Sequence, residues 1–134
     1  MIRPPHAPSS MTSRLRKLRS QFDGLKIDGF LVTFAPHLRY LSGFSGSNGV
    51  GIVTRSSLCL LTDGRYADQV RREVDGWKII VTQRGLVEEI ERRRLIPSGS
   101  RIGFDGNTLS FTQVQHTRKL LHKVKFLPKV DTVE

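Results

Sequence analysis

Arg39-Tyr40-Leu41-Ser42-Gly43-Phe44-Ser45-Gly46-Ser47-Asn48-Gly49, followed by Leu61-Thr62-Asp63-Gly64-Arg65-Tyr66, is the part of this chain whose reading decides its fold. Gly43, Gly46 and Gly49 stand three apart, and residues without a Cβ permit positive φ and close backbone approach where a side chain would clash. Polar and basic residues are interleaved with them, and apolar runs lie on either side. Turns of this composition sit at strand ends, where binding loops are held on a rigid scaffold.

Working outward, Gly29 to Thr33 is a short apolar run closed by Ala35-Pro36 and reads as a buried strand, with one helical turn over Pro36 to Leu41. Gly49 to Thr54 and Ser57 to Thr62 are β-rich runs separated by Arg55-Ser56, the spacing of a hairpin, although the turn residues are not the favoured Asn-Gly. Asp63 is placed to cap a helix from Arg65 to Val74 that carries Tyr66, Val70 and Val74 on one face. Upstream, Met11, Leu15, Leu18 and Phe22 recur at helical spacing from about Ser13, and Gly24 is placed to end that helix. Downstream the pattern predicts a strand at Lys78 to Val81, a helix marked by Leu86, Val87 and Ile90, and a strand at Arg101 to Asp105. A helix marked by Phe111, Val114 and Leu121 and a strand at Val124 to Phe126 complete the series. Strands alternating with helices after an initial hairpin imply an α/β fold, a mixed sheet of about six strands flanked by helices.

The chain of 134 residues is within the range of one domain with one core. Hydrophobic residues make up 37% and charged residues 25%, and no apolar run has the length of a membrane span. Cys59, the only cysteine, lies in Leu58-Cys59-Leu60-Leu61; it reads as a buried core residue and suits a reducing, cytoplasmic setting. The net charge is +10, with basic clusters at Arg14 to Arg19, Arg71-Arg72, Arg92 to Arg94 and Arg118 to Lys129. Such clusters read as solvated helix faces, with a basic nucleic-acid-binding module as the alternative. Residues 1–10 hold three of the prolines and read as a disordered extension. Pro128 onward reads as the exit into a linker.

The chemistry-bearing residues do not form an enzyme constellation. His6, His37, His116 and His122 offer no ligand pair at helical spacing, so no metal site is expected. Gly43-Phe44-Ser45-Gly46-Ser47 lacks the final glycine of a nucleophile elbow, and neither a phosphate loop nor a dinucleotide fingerprint follows. Gly46 to Gly49 fits the short GxxG pattern of KH domains, but that loop joins two helices and here a β-rich run follows.

The two quoted stretches resemble the N-terminal domain of the creatinase, prolidase and Xaa-Pro aminopeptidase family of metallopeptidases. Ser42-Gly43-Phe44 and Thr62-Asp63-Gly64-Arg65-Tyr66 are most similar to its Xaa-Pro aminopeptidases. The likeness runs from about Met11 to Glu134, which implies a ribonuclease H-like domain over 11–127 and the start of a linker over 128–134. In that family a second domain binds two divalent metal ions, manganese among them, through Asp, His and Glu, and none of those ligands has a position here. The resemblance therefore implies no cofactor and no catalytic residue in this chain. It implies a noncatalytic domain of a peptidase that releases an N-terminal residue preceding proline, one that contributes to oligomerisation and restricts access to the active site. Arg39, Tyr40, Phe44, Ser47 and Arg65 are the positions it implies for facing substrate. The implied partners are a second copy or a catalytic domain of the family, and proline-containing peptides through the parent enzyme. A stand-alone protein that pairs with a related subunit is the alternative. Core packing of Tyr40 and Phe44, and pairing of Arg65 with Asp63 or Asp68, are the purely structural readings of the same residues.

Overall fold

The computed structural model describes residues 6–134, with side chains described from Ser10 onward. The expected disordered extension over 1–10 lies outside the described residues as far as Pro5. From there helix α1 runs His6–Ser20, earlier than its apolar pattern predicts. Pro8 falls in its first turn, where the missing N–H removes no intrahelical bond. Gly24 does not end this helix. It lies inside a short helix α2, Phe22–Leu25, and the left-handed cap passes to Lys26 at φ 58°. The Lys26 and Ile27 N–H groups reach back to the carbonyls of Asp23 and Phe22, closing the turn.

The remaining elements are β1 (Gly29–Val32), α3 (Ala35–Ser42), β2 (Gly49–Thr54), β3 (Leu58–Asp63), a 3-10 turn (Gly64–Tyr66) and α4 (Ala67–Glu73). They continue as β4 (Lys78–Thr82), α5 (Leu86–Arg93), β5 (Arg101–Asp105), α6 (Phe111–Leu120) and β6 (Lys125–Lys129). The strands form one six-stranded sheet in the order β4-β3-β2-β1-β5-β6. β2 is antiparallel to both β1 and β3, while β1–β5, β3–β4 and β5–β6 are parallel. The sheet is therefore mixed, as the sequence predicts.

Side-chain alternation along the strands divides the core in two. Phe30, Val32, Val53 and Leu60 face α1 to α4 and pack with Leu18, Phe22, Leu38, Leu41 and Val70. Leu31, Val50, Ile52, Leu61, Ile102 and Phe104 face α5 and α6 and pack with Ile90 and Val114. Each fully buried side chain of this size contributes about 1.5–3 kcal/mol. On the first face Gly51 stands in the row of Val53, and a Cβ there would lie 2.8 Å from Leu38 and 3.2 Å from the Trp77 ring. The glycine leaves the room that the indole fills.

Three local expectations change. The hairpin turn is Arg55-Ser56-Ser57, with Thr54 N–H bonded to Ser57 O at 3.0 Å. Arg19 of α1 braces it, donating from Nε to Thr54 O (2.6 Å) and from Nη2 to Ser57 O (3.0 Å), which compensates for unfavoured turn residues. Cys59 is half-buried and not a fully buried core residue, because it lies on the α5 side near the start of β3. Burial still raises its thiol pKa, against the opposing charges of Lys78 and Arg93. Finally, β6 extends through Pro128 to Lys129; as an edge strand it tolerates the missing donor. Residues 128–134 do not leave the domain as the linker expectation had it: Thr132 and Val133 are buried, and Gln21 Nε2 donates to Thr132 O at 2.9 Å. Val133 joins the first core because its apolar side chain finds Phe22 and its neighbours within reach.

Candidate functional site

Gly49 pairs with Thr62 and Asp63 with Thr82, so the start of β2 and the end of β3 lie together at one edge of the sheet. This is the edge where the other five strands end, and it brings the two quoted stretches side by side. α3 delivers the first of them. Pro36 is in its first turn, and Gly43 closes it at φ 84° with its N–H on Arg39 O at 2.8 Å. The chain then turns Phe44 into the core, where its ring stands edge-on to Tyr66 with centroids 5.8 Å apart. Gly46 and Gly49 serve differently from Gly43: neither has positive φ, and a Cβ on either would run into the Phe44 ring.

Side chains fasten this loop to the segment after β3. Thr62 Oγ1 donates to Asn48 O, and Asn48 Nδ2 donates to Asp63 Oδ2 at 2.6 Å. The hydroxyls of Ser47 and Tyr66 share a hydrogen bond of 2.5 Å. The Ser45 N–H and hydroxyl both donate to the Glu73 carboxylate, at 2.9 and 2.7 Å, and Gln69 Nε2 donates to Ser45 Oγ at 2.9 Å.

Asp63 is the hub. Its Oδ1 accepts from the Arg65 N–H at 2.9 Å, capping the 3-10 turn, and its two oxygens hold the Arg65 guanidinium at 3.0 and 2.9 Å. The Arg65 fork, followed by the Asn48 amide, holds the Asp63 carboxyl well below the usual carboxylate range, and Asp63 in turn raises the Arg65 pKa. The hydrogen bond from Ser47 lowers the Tyr66 pKa. The Ser45 N–H is the largest influence lowering that of Glu73, with Arg39 adding a smaller coulombic effect.

Arg39, Phe44, Ser45 and Gly46, with Ala35 and Pro36, line an open groove of about 240 Å³ beside this network. Of the five residues singled out in the sequence, Arg39, Phe44, Ser47 and Arg65 reach this end of the molecule. Arg39, Ser47 and Arg65 are exposed, and Phe44 supports them from the core. Tyr40 points elsewhere: it is half-buried beneath α1, where the Arg14 guanidinium lies 4.2 Å from its ring centroid and donates to its carbonyl at 2.9 Å. Its position one residue after Arg39 turns it by a third of a helical turn, away from the groove.

Several participants were not legible in advance. Asn48 carries no signal beyond its place in the glycine-rich loop, and Tyr66 reads as the apolar face of a helix. Glu89 received no role, yet it is 1% exposed and accepts from Thr82, Arg92 and Arg93, with Arg84 Nε at 3.7 Å. Those hydrogen bonds, Arg92 first, lower its pKa to about 2. The signal was present as Glu89 followed by arginines three and four residues later. At the same sheet edge, His37 lies between Asp105 (3.9 Å) and Glu134 (3.6 Å) in a hollow of about 220 Å³.

Chemically the arrangement presents two exposed guanidiniums, Arg65 fixed by Asp63 and Arg39 at the groove, suited to an anionic group and to shaping a mouth. The Ser47 hydroxyl partners the Tyr66 phenol and the Ser45 hydroxyl the Glu73 carboxylate, and both partners have lowered pKa values. Among the described residues no group of three or more His, Cys, Asp or Glu is placed to hold a metal ion.

The model of the creatinase/prolidase N-terminal domain matches residues 14–134. An uncharacterised peptidase, YqhT, of Bacillus subtilis is 29% identical over 121 residues, covering 90% of this chain and 34% of the relative. A Xaa-Pro aminopeptidase of Caenorhabditis elegans is 35% identical over 109 residues, covering 74% of this chain and 17% of the relative. Among solved structures, a Xaa-Pro dipeptidase from Bacillus anthracis superposes with a TM-score of 0.84 at 27% identity, covering 92% of this chain and 35% of that one. The N-terminal domain of a Corynebacterium diphtheriae protein, described as creatinase/prolidase-like, gives 0.80 at 32% identity, covering 90% and 96%. An X-prolyl aminopeptidase from C. elegans, described as a cytosolic enzyme with a dinuclear active site, gives 0.73 at 27% identity, covering 92% of this chain and 24% of that one. The chain thus spans about a third or less of the full-length relatives it matches, and nearly all of a separately solved N-terminal domain. Over residues 14–134 it belongs to the creatinase/prolidase N-terminal domain family.

Proposed function

We propose that this domain is the noncatalytic part of a Xaa-Pro aminopeptidase-type metallopeptidase, and that its 43–49 loop and 63–66 turn form part of the wall around an active site carried elsewhere. The observation that carries this reading is the groove at the end of α3. It places Arg39 beside a loop fixed by Glu73, with Arg65 held by Asp63 on the adjoining turn. An anchored guanidinium loses little freedom on meeting a peptide carboxylate, which favours short peptides over longer ones. The two divalent ions, manganese foremost, belong in this reading to another domain, and self-association of the chain would complete the enclosure. The lone half-buried Cys59 fits a reducing compartment, and cytoplasmic placement is part of the proposal.

The test places this chain in the position of the matching N-terminal third of the B. subtilis relative and follows hydrolysis of Xaa-Pro peptides with added manganese. Arg39→Ala and Arg65→Ala are each expected to raise KM about tenfold, or roughly 1.4 kcal/mol, with kcat retained. The chain alone is expected to release nothing. Release of the N-terminal residue by the isolated chain, with Arg39→Ala making no difference, would overturn the division of labour.

A further inference from the structure

Part of the excess positive charge gathers at one end of the sheet. Register places the starts of β1, β3, β4, β5 and β6 in one row, opposite the candidate site: Cys59 pairs with Lys78, Gly29 with Ile102 and Arg101 with Lys125. Tertiary contacts draw basic residues from distant segments to that edge. Arg19 braces the β2–β3 turn, Arg55 of the turn pairs with Asp23 at 2.7 Å, and Arg101 Nε donates to Lys26 O at 2.7 Å. Ser100 O accepts from the Lys125 N–H, and Lys123 O from that of Gly99. Arg94 and Lys123 consequently line one groove of about 160 Å³ with Ile96, Pro97 and Ser98.

Two kinds of cation meet here. Arg92, Arg93, Arg118 and Lys119 lie in the last turns of α5 and α6, where they complement the helix dipole, and Arg92 and Arg93 are held by Glu89. Lys26, Lys78, Arg94, Lys123 and Lys125 have no such assignment: they are exposed and make no ion pair among the described residues. Of the carboxylates at this edge, Asp23 is engaged by Arg55 and Asp28 by the Arg101 N–H, and Glu91 lines the groove with Arg94 and Lys123, whereas Asp63, Asp105 and Glu134 lie at the opposite edge. Five exposed cations without an ion-pair partner among the described residues thus gather at the strand starts, while Arg39 and Lys129 lie at the opposite edge.

We propose that this edge, built around Lys26, Lys78, Arg94, Lys123 and Lys125, binds the phosphate backbone of nucleic acid without regard to sequence. Exposed lysines on several elements match a line of phosphates, each acting as a point charge without fixed geometry. Trp77 is buried, and the exposed Phe111 starts α6, which ends at this edge, so among the described residues no aromatic ring is offered for base stacking here. Recognition would rest on charge, independent of the peptidase reading.

Fluorescence anisotropy with a short DNA duplex and a single-stranded RNA of matched length, between about 50 and 200 mM salt, tests this. Binding to both is expected, with log K falling linearly against log salt. Replacing Lys78, Lys123 and Lys125 by Glu is expected to weaken it more than tenfold and to reduce the slope by about 2 to 3, at about 0.9 per phosphate contact. Arg39→Glu, at the other edge, changes net charge without touching the row and is expected to leave the slope unaltered. Circular dichroism of the triple variant confirms that it is folded, and single replacements at Lys78 or Lys123 provide the same comparison if it is not. No binding at about 50 mM salt overturns the proposal. So does equal weakening by Arg39→Glu and a single Lys→Glu, or binding to polyglutamate in preference to both nucleic acids, which would assign the edge to an acidic protein surface.

Discussion

Replacing Gly43 by alanine separates two reasons for a glycine, because Gly76 shares only one of them. Gly43 has φ 84° and Gly76 φ 82°, so alanine at either position enters the left-handed region. That conformation costs an ordinary residue about 1–2 kcal/mol. Around Gly76 there is open space, whereas a Cβ on Gly43 would lie 3.0 Å from Met11 Cε and 3.2 Å from Glu73 O. The Met11 methyl is the end of a flexible side chain and can move. The Glu73 carbonyl is backbone at the end of α4 and cannot move without disturbing the carboxylate that holds Ser45, so overpacking adds roughly 1 kcal/mol or more. Gly76→Ala is therefore expected to destabilise by about 1–2 kcal/mol and Gly43→Ala by about 2–3 kcal/mol. The loss of unfolded-state freedom is common to both variants and cancels in the comparison. Urea unfolding followed by circular dichroism measures the difference, with the slope against denaturant unchanged. For a chain of 134 residues each kcal/mol corresponds to about 3–4 °C in Tm. Equal midpoints for the two variants would show that the approach of α4 to the loop contributes nothing, and would refute the account of how the groove is held.

Other outcomes follow from the same contacts. Glu89 has a folded pKa of about 2 against an ordinary 4.5, so its contribution is complete above the higher value and is lost as pH falls toward the lower. The wild-type stability curve is expected to slope upward across that window, and Glu89→Gln to flatten it. An unchanged slope would place the charge of Glu89 outside the folding equilibrium. Leu60, fully buried at the centre of the first core, is expected to lose about 2–5 kcal/mol on conversion to alanine, measured by urea unfolding. Ser110 and Gln113 form a reciprocal capping box at the start of α6, and Ser110→Ala should cost about 1 kcal/mol in thermal unfolding. Arg19→Ala removes two hydrogen bonds from the β2–β3 turn and should lower stability by about 1–2 kcal/mol, with faster amide exchange at Ser57 as the local signature.

Much of the architecture was legible because strand and helix periods are written into neighbouring residues. Gly49 to Thr54 and Arg101 to Asp105 were bounded correctly, since alternating or continuous apolar residues end at polar ones on both sides. α3 is longer than the single turn expected, because its helix is set by Leu38 and Leu41 packing on β2 as well as by Pro36 at its start. The 43–49 and 61–66 stretches were recognisable as one motif, and the family followed from them. Their division of labour was not. Gly43 supplies positive φ while Gly46 and Gly49 make room for Phe44, a distinction that exists only once that ring has a place.

What the sequence by itself determined is the local alphabet: a mixed α/β order, a glycine-rich loop, a capping aspartate and a large excess of cations. Only the tertiary structure decided which of these meet. Tyr40 turned beneath Arg14, Arg65 closed onto Asp63, Val133 returned to the core near Phe22, and Lys78, Arg94, Lys123 and Lys125 converged on one edge. The physical reason is range. Propensity and periodicity act over a few residues, whereas burial, pairing register and charge neutralisation join residues tens of positions apart and are fixed only when the sheet closes.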